Sequence, residues 1–448
     1  MKYLLRVFLF NLFGIWITSQ ILPTLTVRDG WQVLLIAAAT LSLLMLIVKP
    51  ILKILFLPIN LLTFGLLSAR SNDCTVDVSG CHLVRVCYPI GSLNLRVGSY
   101  RNVISHNVYH QCLSPNKRRM KHKLPNIVCI GGGTGTFVAL KGLKNYPCHL
   151  TAIVTMADSG GSNRRIRDEF GLLPTSDIRQ CFVALSDENG GAGLLRKLFM
   201  YRFEKGQGIS GMTFGNLFMA ALADILGSQA EAIKQTGKVL KIRGTVVPVS
   251  YTDTNLVAEY EDGRVVSGEH FIDEPHHDGT IAITKLSLQP QAVANPDALS
   301  AIAHADLIVL GPGDLYTSLI PNLLVKGIPE ALCRSKAKKA YVLNLMTKYG
   351  QTYNFSAVDH VNALQKFLGE CLDFVLVHTG PLEKVAVDTY AKYHEYPVAD
   401  DLPKKASFGI IRGDMVSHEP VEKKKSDALV RSLIRHDSEK LAKYLFSL

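Results

Sequence analysis

The sequence predicts an α/β protein with a parallel sheet in three layers, a β-rich insertion and, in front of them, an N-terminal transmembrane helical hairpin. Three observations lead to this prediction. Between residues 124 and 448, called the body below, short apolar runs repeatedly end in glycine-rich turns that lead into helical segments. Residues 238–288 instead show short strands joined by turns. Two long apolar runs occupy the first 48 residues.

Composition and charge limit the classes of protein to consider. The chain has 448 residues, of which 48% are hydrophobic and 19% charged, so it is long enough for several domains and too apolar to be mainly disordered. The formal net charge is +11, but residues 127–448 contain 35 basic and 35 acidic residues, so all of the excess lies in residues 1–126. A body with balanced charge does not indicate nucleic acid as a partner.

Residues 1–68 are predicted to be membrane segments. The runs 3–22 and 31–48 each approach the ~20 apolar residues that cross a bilayer. The stretch 54–68 is shorter and is interrupted by Pro58, so we interpret it as interfacial or re-entrant. Basic residues flank the outer ends of the hairpin, which favours a cytoplasmic body that is membrane-anchored when this segment is expressed with it. The alternative is a pair of buried helices in a soluble domain.

The N-terminal runs carry a family resemblance. The segments LLRVFLFNLFGIWITSQILP and VKPILKILFLPINLLTFGLLS are similar to the four-helix membrane family of phage-holin superfamily IV, over about residues 1–68. This resemblance implies insertion into a membrane, and it ends where that family continues into its last spans.

Residues 69–123 show neither helical nor strand periodicity and are rich in Cys, Ser, His and Arg. Two interpretations stay open. The segment is either a basic linker or a frame-fusion artefact, in which two reading frames are joined with out-of-frame translation between them. In the second case the body naturally starts at Met120 rather than Met1. The basic run 117–123 also suits contact with anionic lipid.

A glycine-rich loop follows the first predicted strand of the body, residues 126–130. It leads into a helix whose free N–H groups favour a phosphate. A second strand, 149–156, ends just before Asp158, which is the layout of a nucleotide-binding half of a Rossmann-like fold. Thr136 replaces the third glycine of the usual pattern, and a purely structural turn is the alternative. The candidate ligand contacts of this loop are Gly131, Gly132, Gly133, Thr134 and Gly135.

Polar residues after the second strand extend the candidate site. The segment 156–171 contains Asp158, the glycine pair 160–161 and three arginines, and guanidinium groups at a glycine loop suit phosphate recognition. We predict Asp158 as the catalytic residue. The further candidate ligand contacts are Ser159, Gly160, Arg167, Asp177 and Asn216. For the last two, capping of a helix is the alternative.

Two later segments also place polar or glycine-rich turns directly after a strand. An apolar strand at 305–310 is followed by a Gly-Pro-Gly turn and a helix, and the strand that begins at Tyr341 ends in polar residues. Ligand groups in parallel sheets gather at the carboxyl ends of the strands, so we expect both segments to meet the first loop. Their candidate ligand contacts are Gly311, Gly313, Tyr316, Asn344 and Thr347.

The insertion and the cysteines carry no metal signal. Residues 238–288 are predicted as the β-rich insertion, and its His276–His277 pair is interpreted as an exposed polar loop rather than a metal site, so no metal ligands are assigned. The nine cysteines include no Cys-x-x-Cys pair. We therefore expect the cysteines of the body to be free, buried thiols in a reducing compartment.

The body also carries a family resemblance, in eight sequence blocks that occur in order. They include IVCIGGGTGTFVALKGLK, MADSGGSNRRIRDEFG, GPGDLYTSLIPNLLV and IRHDSEKLA. These blocks resemble the YvcK family of gluconeogenesis factors, relatives of the CofD 2-phospho-L-lactate transferases, over about residues 124–448. The resemblance implies a Rossmann-like three-layer fold, a nucleotide-diphosphate ligand (a UDP-sugar on the YvcK branch) and a role in cell shape and envelope growth. It also implies Tyr390 and Arg435 as ligand contacts.

Two functions from different classes follow, beside a third alternative, a membrane-tethered structural protein whose glycine loops are only turns. The first is a UDP-sugar-binding regulator that links carbon metabolism to cell shape and envelope growth. The second is a CofD-like transferase that moves a phospholactyl-type group from a nucleotide diphosphate to a deazaflavin alcohol, with Asp158 holding metal or activating the hydroxyl. The family's paired acids are Asp158–Ser159 here, and one missing carboxylate weakens the case for Mg²⁺ bound with the nucleotide diphosphate. A homo-oligomer is possible, and the sequence does not distinguish it from a monomer.

Overall fold

A seven-stranded parallel sheet forms the centre of the body. The computed structural model describes residues 38–39, 124–188, 190–417 and 433–448. In chain order the strands are β1 (Asn126–Gly131), β2 (His149–Val154), β3 (Thr245–Pro248), β4 (Asn255–Tyr260), β5 (Val265–Ser267), β6 (Ile283–Gln289), β7 (Leu307–Leu310), β8 (Lys338–Val342), β9 (Phe374–His378) and β10 (Gly409–Gly413). The order across the large sheet is β10-β9-β8-β7-β1-β2-β3, and every neighbouring pair is parallel. This confirms the predicted Rossmann-like α/β architecture.

Helices connect these strands. They are α1 (Gly133–Leu143), α2 (Gly161–Phe170), α3 (Ser176–Leu185), α4 (Gly190–Phe199), α5 (Phe214–Leu226), α6 (Gln229–Val239), α7 (Glu269–Asp273), α8 (Pro296–Ala303), α9 (Ile320–Leu323), α10 (Ile328–Arg334), α11 (Ala357–Leu368), α12 (Lys384–Ala391) and α13 (Ser438–Phe446). A π-helical turn, Leu315–Leu319, runs directly into α9. Local sequence explains several ends: Gly171 terminates α2 in a left-handed conformation, and Ser356 with Asp359 forms a capping box at α11.

The hydrophobic core is divided between the two faces of the large sheet. In β1, Val128 and Ile130 pack into the core on one face, whereas Ile127 and Cys129 pack into the core on the other. Successive side chains of a strand point to opposite faces, so a strand that is covered on both sides is apolar at every position. This explains why residues 127–130 of β1 form a continuous apolar run.

A second, antiparallel sheet has the strand order β5-β4-β6, and α7 directly follows β5. The predicted insertion begins too early in the sequence, because β3 pairs in parallel with β2 and belongs to the large sheet. The antiparallel part therefore spans β4 to β6. A short apolar strand such as β3 contains no local signal that tells which sheet it joins.

The predicted membrane segments fall outside the described residues, apart from Ala38 and Ala39. In the part of the chain that the structure describes, none of the helices has the length and hydropathy of a membrane span. The hairpin of 3–22 and 31–48, the stretch 54–68 and the linker 69–123 therefore stay predictions.

The expectation of free thiols is wrong for one cysteine pair. Cys333, in α10, and Cys371, shortly before β9, form a disulfide, with their Cα atoms 5.3 Å apart. They are separated by 38 residues in the chain, so no short cysteine spacing indicates the bond. Cys129 and Cys181 are buried free thiols, and burial raises the pKa of Cys129 well above its ordinary value.

Candidate functional site

The residues that follow β1, β2, β7 and β8 line one cavity of about 490 Å³, called the main cavity below. Its position at the carboxyl ends of parallel strands is where sheets of this type bind ligands. Twelve of the predicted site residues line it: Gly132, Gly133, Thr134, Gly135, Asp158, Gly160, Asp177, Gly313, Asn344, Thr347, Tyr390 and Arg435. The fold therefore brings most of the predicted residues together, and their contact with a ligand stays a prediction.

The first glycine loop presents the N-terminus of α1 to the main cavity. Gly132 precedes the helix without a side-chain cap, and Gly133 adopts a φ of +63°, a left-handed conformation that glycine tolerates best. The N–H of Gly133 donates to Oδ1 of Asp177 over 2.9 Å. A side chain at position 132 would collide with the same carboxylate. The helix N-terminus therefore already holds one anionic group in this structure.

The second glycine loop lies against the first. A Cβ atom at Gly135 would overlap the backbone just before Gly313 and would lie 2.7 Å from the Gly313 nitrogen, so the two loops touch backbone to backbone. The side-chain amide of Asn344, just after β8, donates to the carbonyl oxygen of Gly313 over 2.9 Å. Thr347 exchanges two hydrogen bonds with the backbone of Tyr396 and so holds the next loop in place. The two glycine loops thus form one cradle.

Asp158 shares a hydrogen bond with Glu269, a residue of α7 in the insertion. Asp158 also accepts hydrogen bonds from the backbone N–H of Gly160 over 2.9 Å and from the side-chain amide of Asn163 over 2.5 Å. Burial raises the pKa of Asp158, and burial followed by the charge of Asp158 raises the pKa of Glu269 well above its ordinary value. Two carboxyl groups in contact share a proton or require a cation nearby.

Asp177 is a further acid whose titration is displaced. It lies in the first turn of α3, where capping of that helix was the alternative, but its carboxylate caps α1 instead. Burial and then the negative charge of Asp158 raise the pKa of Asp177 to about 7. The carboxyl group therefore exchanges its proton near neutral pH.

The ammonium of Lys348 bridges two carboxylates from different segments. It lies 2.6 Å from Oδ2 of Asp314, next to the second glycine loop, and it also contacts Asp273 at the end of α7. Asp273 accepts further hydrogen bonds from Thr317 over 3.1 Å and from Gln351 over 3.0 Å. Although burial alone would lower the pKa of Lys348, the two carboxylates raise it, so the ammonium stays charged.

Tyr390 and Arg435 meet at the main cavity. Tyr390 is only 5% exposed, burial raises its pKa, and its phenol oxygen accepts hydrogen bonds from the backbone N–H groups of Ile434 and Leu433. The tyrosine thus fixes the segment that places Arg435 in the cavity lining. Tyr390 therefore helps to position Arg435, and its own contact with a ligand stays a prediction.

Six predicted site residues do not line the main cavity: Gly131, Ser159, Arg167, Asn216, Gly311 and Tyr316. Two of them use their polar atoms within the fold. Arg167 forms an ion pair of 2.5 Å with Asp253, just before the antiparallel sheet. Asn216 is fully buried and accepts a hydrogen bond from Arg179 over 3.2 Å. Both side chains were expected at the ligand because the same donors that suit phosphate also suit these internal contacts.

The other four residues hold or shape the loops without lining the main cavity. Ser159 accepts a hydrogen bond from the backbone N–H of His270 over 3.1 Å and so ties the second-strand loop to α7. At Gly131 a side chain would overlap the hydroxyl of Thr136. Gly311 adopts a φ of +77°, which the turn after β7 requires. The ring of Tyr316 is packed in the core, where burial raises its pKa to about 12.

The insertion and the loop after β8 add further polar residues to the main cavity, and none of them was predicted from the sequence. These are Glu269, His270, Asp273, Glu274 and Lys348. They are far from Asp158 along the chain, and helical or strand periodicity says nothing about such contacts. The only local signal is the concentration of acids in the short segment 269–274.

A parallel sheet with two glycine loops and an acid pair at its carboxyl edge places the chain in the Rossmann-like class of α/β proteins. The family model of 2-phospho-L-lactate transferase CofD matches residues 127–416, and the chain belongs to this CofD family. The model of the mycobacterial four-span phage holin, superfamily IV, matches residues 1–72, which points to a membrane segment at the N-terminus.

Relatives named gluconeogenesis factor are similar to the body. The relative from Bacillus subtilis is 40% identical over 329 residues, which is 72% of this chain and 98% of the relative. The relative from Halalkalibacterium halodurans is 42% identical over 290 residues, which is 64% of this chain and 88% of the relative. A crystal structure of a Bacillus halodurans protein superposes with a TM-score of 0.65 at 39% identity, covering 72% of this chain and 100% of the other.

Asp177→Asn should make stability less dependent on pH. The folded-state pKa of about 7 lies above the unfolded value of 3.8, so the wild-type protein gains stability from the bound proton at low pH and loses it as the pH rises through 7. Asparagine keeps an acceptor for the Gly133 N–H but carries no charge. We expect the loss of unfolding free energy between pH 5 and pH 8 to be about 1–3 kcal/mol smaller in the variant. Urea denaturation at both pH values measures it, and equal losses would contradict the shifted pKa.

Proposed function

We propose that the body binds a nucleotide diphosphate in the form of a nucleotide sugar, such as a UDP-sugar, and acts as a regulator. The observation that carries the proposal is the contact between the two glycine loops at Gly135 and Gly313. The N–H of Gly133 donates to Asp177, but the next N–H groups of the first turn of α1 have no partners within the helix, and this turn lines a cavity large enough for a ligand. Two such loops side by side suit two adjacent phosphates.

The main cavity is acidic, so a diphosphate needs a cation or bound protons in order to bind there. Among the described residues, its cationic side chains are Lys348, which two carboxylates already neutralise, and Arg435. Its carboxyl groups are Asp158, Asp177, Glu269, Asp273, Glu274, Asp314 and Glu395. A diphosphate would be repelled unless bound protons or a cation reduce this charge. We therefore expect Mg²⁺ to enter with the ligand.

The donor set fits Mg²⁺ only in combination with the ligand. Within the described ranges no group of three or more His, Cys, Asp or Glu side chains is arranged to hold a metal ion. Asp158 and Glu269 are in contact, and Mg²⁺ typically takes one or two carboxylates together with phosphate oxygens. These two residues would hold the ion beside the diphosphate, where it would neutralise phosphate charge.

The regulatory part of the proposal follows the relatives. Two of them are named gluconeogenesis factors. A body that senses a nucleotide sugar could link carbon metabolism to cell shape and envelope growth, because nucleotide sugars feed envelope synthesis. The predicted topology, with residues 1–68 in the membrane, would keep the body on the cytoplasmic side, where nucleotide sugars occur.

A CofD-like transferase is the second candidate, and one observation favours it. The sequence indicates one carboxylate too few after the second strand, but Glu269 supplies an acid in contact with Asp158. In this reaction the hydroxyl oxygen of a deazaflavin alcohol would bond to the β-phosphorus, and the bond from that phosphorus to the α-phosphate would break. The hydroxyl proton would pass to Asp158, whose raised pKa suits a general base, and nucleoside monophosphate would leave.

Release of nucleoside monophosphate separates the two candidates. We expect the wild-type protein, incubated with Mg²⁺, a nucleotide-diphosphate donor and an acceptor alcohol, to release no more monophosphate than a sample without protein. Chromatography of the nucleotides measures this directly. Release that requires both the acceptor and the Asp158 carboxylate, and that disappears in Asp158→Asn, would establish the transferase instead.

Gly133→Val should abolish binding of a UDP-sugar. The substitution places a branched side chain at the first turn of α1, where the ligand must approach the backbone. Gly171→Val is the matched control, because Gly171 has a φ of +61° against +63° at Gly133 but has no atom within 4 Å of an added Cβ. Both variants should lose similar stability, and only the first should lose binding in calorimetric titrations with Mg²⁺. Equal affinity in both would contradict the site.

Arg435→Ala should weaken binding of the same ligand by about 1.5–3 kcal/mol, the range for hydrogen bonds to charged groups. Arg435 lines the main cavity and is one of two cationic side chains that the described part of the chain places there. Arg412→Ala serves as the control, because Arg412 is paired with Asp400 over 2.6 Å and does not line the cavity. Calorimetric titration of both variants measures the difference. Unchanged affinity in Arg435→Ala would exclude the arginine from the ligand.

A further inference from the structure

A second groove adjoins the main cavity. It has a volume of about 390 Å³, and Glu274 lines both spaces. Three segments form the groove: the loop that follows α7, the loop after β8 and the turn at the end of α12. Its lining consists of Glu274, Pro275, His276, Tyr349, Lys392, Tyr393 and His394. The groove is therefore rich in rings and charged groups.

Tyr349 is the fixed part of this groove. Its ring packs on Gly279, where any side chain would overlap it, and its hydroxyl donates to Oδ1 of Asp278 over 3.3 Å. The centroids of the Tyr349 and His394 rings are 5.3 Å apart, and the ring planes are inclined by 37°. The aromatic wall is thus formed before any ligand arrives.

This wall selects the class of ligand. Because Tyr349 and His394 already touch, a flat base cannot insert between them. Aromatic faces carry negative charge density and attract polarised C–H groups, such as those on one face of a pyranose ring. Glu274, His276 and Lys392 add hydrogen-bond donors and acceptors of the kind that sugar hydroxyls need. A hexose satisfies both parts of the lining.

The backbone conformation of His394 also indicates a ligand site. Its φ is +59°, a left-handed conformation that is uncommon for residues other than glycine. Such strained residues cluster at ligand sites, where the side chain that the strain positions has a role. A glycine would adopt this turn with less strain. The presence of histidine at this position therefore indicates a role for its imidazole.

We propose that this groove is the glycosyl subsite, which binds the hexose ring of the nucleotide sugar whose diphosphate lies in the main cavity. Glu274 lines both spaces, so a single ligand can extend from one into the other. The inference rests on the proposed function, since it takes a nucleotide sugar as the ligand. It adds that recognition of the sugar depends on Tyr349, His394 and Tyr393 rather than on the glycine loops.

The test compares UDP with UDP-hexoses on the full chain, with Mg²⁺ present. Wild-type protein should bind at least one of UDP-glucose, UDP-galactose and their N-acetylamino counterparts roughly tenfold more tightly than UDP. His394→Gly should bring that ratio close to one while leaving the affinity for UDP within about twofold. The variant removes the imidazole and relieves the strained backbone, so its melting temperature should not fall.

Two further variants keep the result interpretable. Lys241→Gly is the matched control, because Lys241 also has a left-handed φ, of +50°, but precedes β3 at the opposite edge of the sheet. It should leave the preference for UDP-hexose unchanged. Tyr393→Ala alters a groove residue that is 39% exposed, and it should reduce the preference in the same way as His394→Gly.

The outcomes separate this inference from the function on which it rests. Equal binding of UDP and all four UDP-hexoses by the wild type, or a preference that survives both groove variants, would overturn the subsite while the diphosphate site stands. Loss of the preference in Lys241→Gly as well would also overturn it, because the effect would then not be local. Absence of binding for every nucleotide would overturn the proposed function, and the subsite with it.

Discussion

The buried ammonium of Lys348 connects the parts of the protein that make up the main cavity. It pairs with Asp314 beside the second glycine loop and with Asp273 at the end of α7. Removing one partner of such an arrangement would leave an uncompensated buried charge, which is strongly unfavourable. Because Asp273 is fixed in this way, Glu269, one helical turn earlier on α7, is held against Asp158. The acid pair therefore depends on an ion pair that belongs to neither glycine loop.

The main cavity is strongly acidic for the diphosphate site proposed here. Asp177 occupies the N-terminus of α1 through the N–H of Gly133, so a carboxylate already stands where a phosphate would be expected. The raised pKa values of Asp177, Asp158 and Glu269 all have burial as their largest cause. Protons therefore neutralise part of the charge in the protein alone, and a cation that arrives with a diphosphate would replace them.

The glycine loops could be predicted because they are local. A buried strand, a glycine turn and a helix follow each other directly at Gly131–Gly135, and parallel strands bring all such turns to one edge. Glu269 could not be predicted, because only the folding of the insertion onto the large sheet brings it to Asp158. Lys348 could not be predicted either, because its partners Asp273 and Asp314 are distant in the chain. The internal roles of Arg167 and Asn216 were missed for a different reason: a guanidinium or an amide suits a phosphate and a buried polar partner equally well.

One short segment of the insertion lines both the main cavity and the groove beside it. Within residues 269–276, Glu269 and Asp273 face the main cavity, Glu274 lines both spaces and His276 lines the groove beside it. A helix of five residues cannot adjust its two ends independently, since its first turn is also its last. A ligand that reorients α7 through the acid pair would therefore also move the loop that carries Glu274 and His276. Recognition of the two halves of a nucleotide sugar would then be coupled through α7, with Lys348 as the contact that resists the movement.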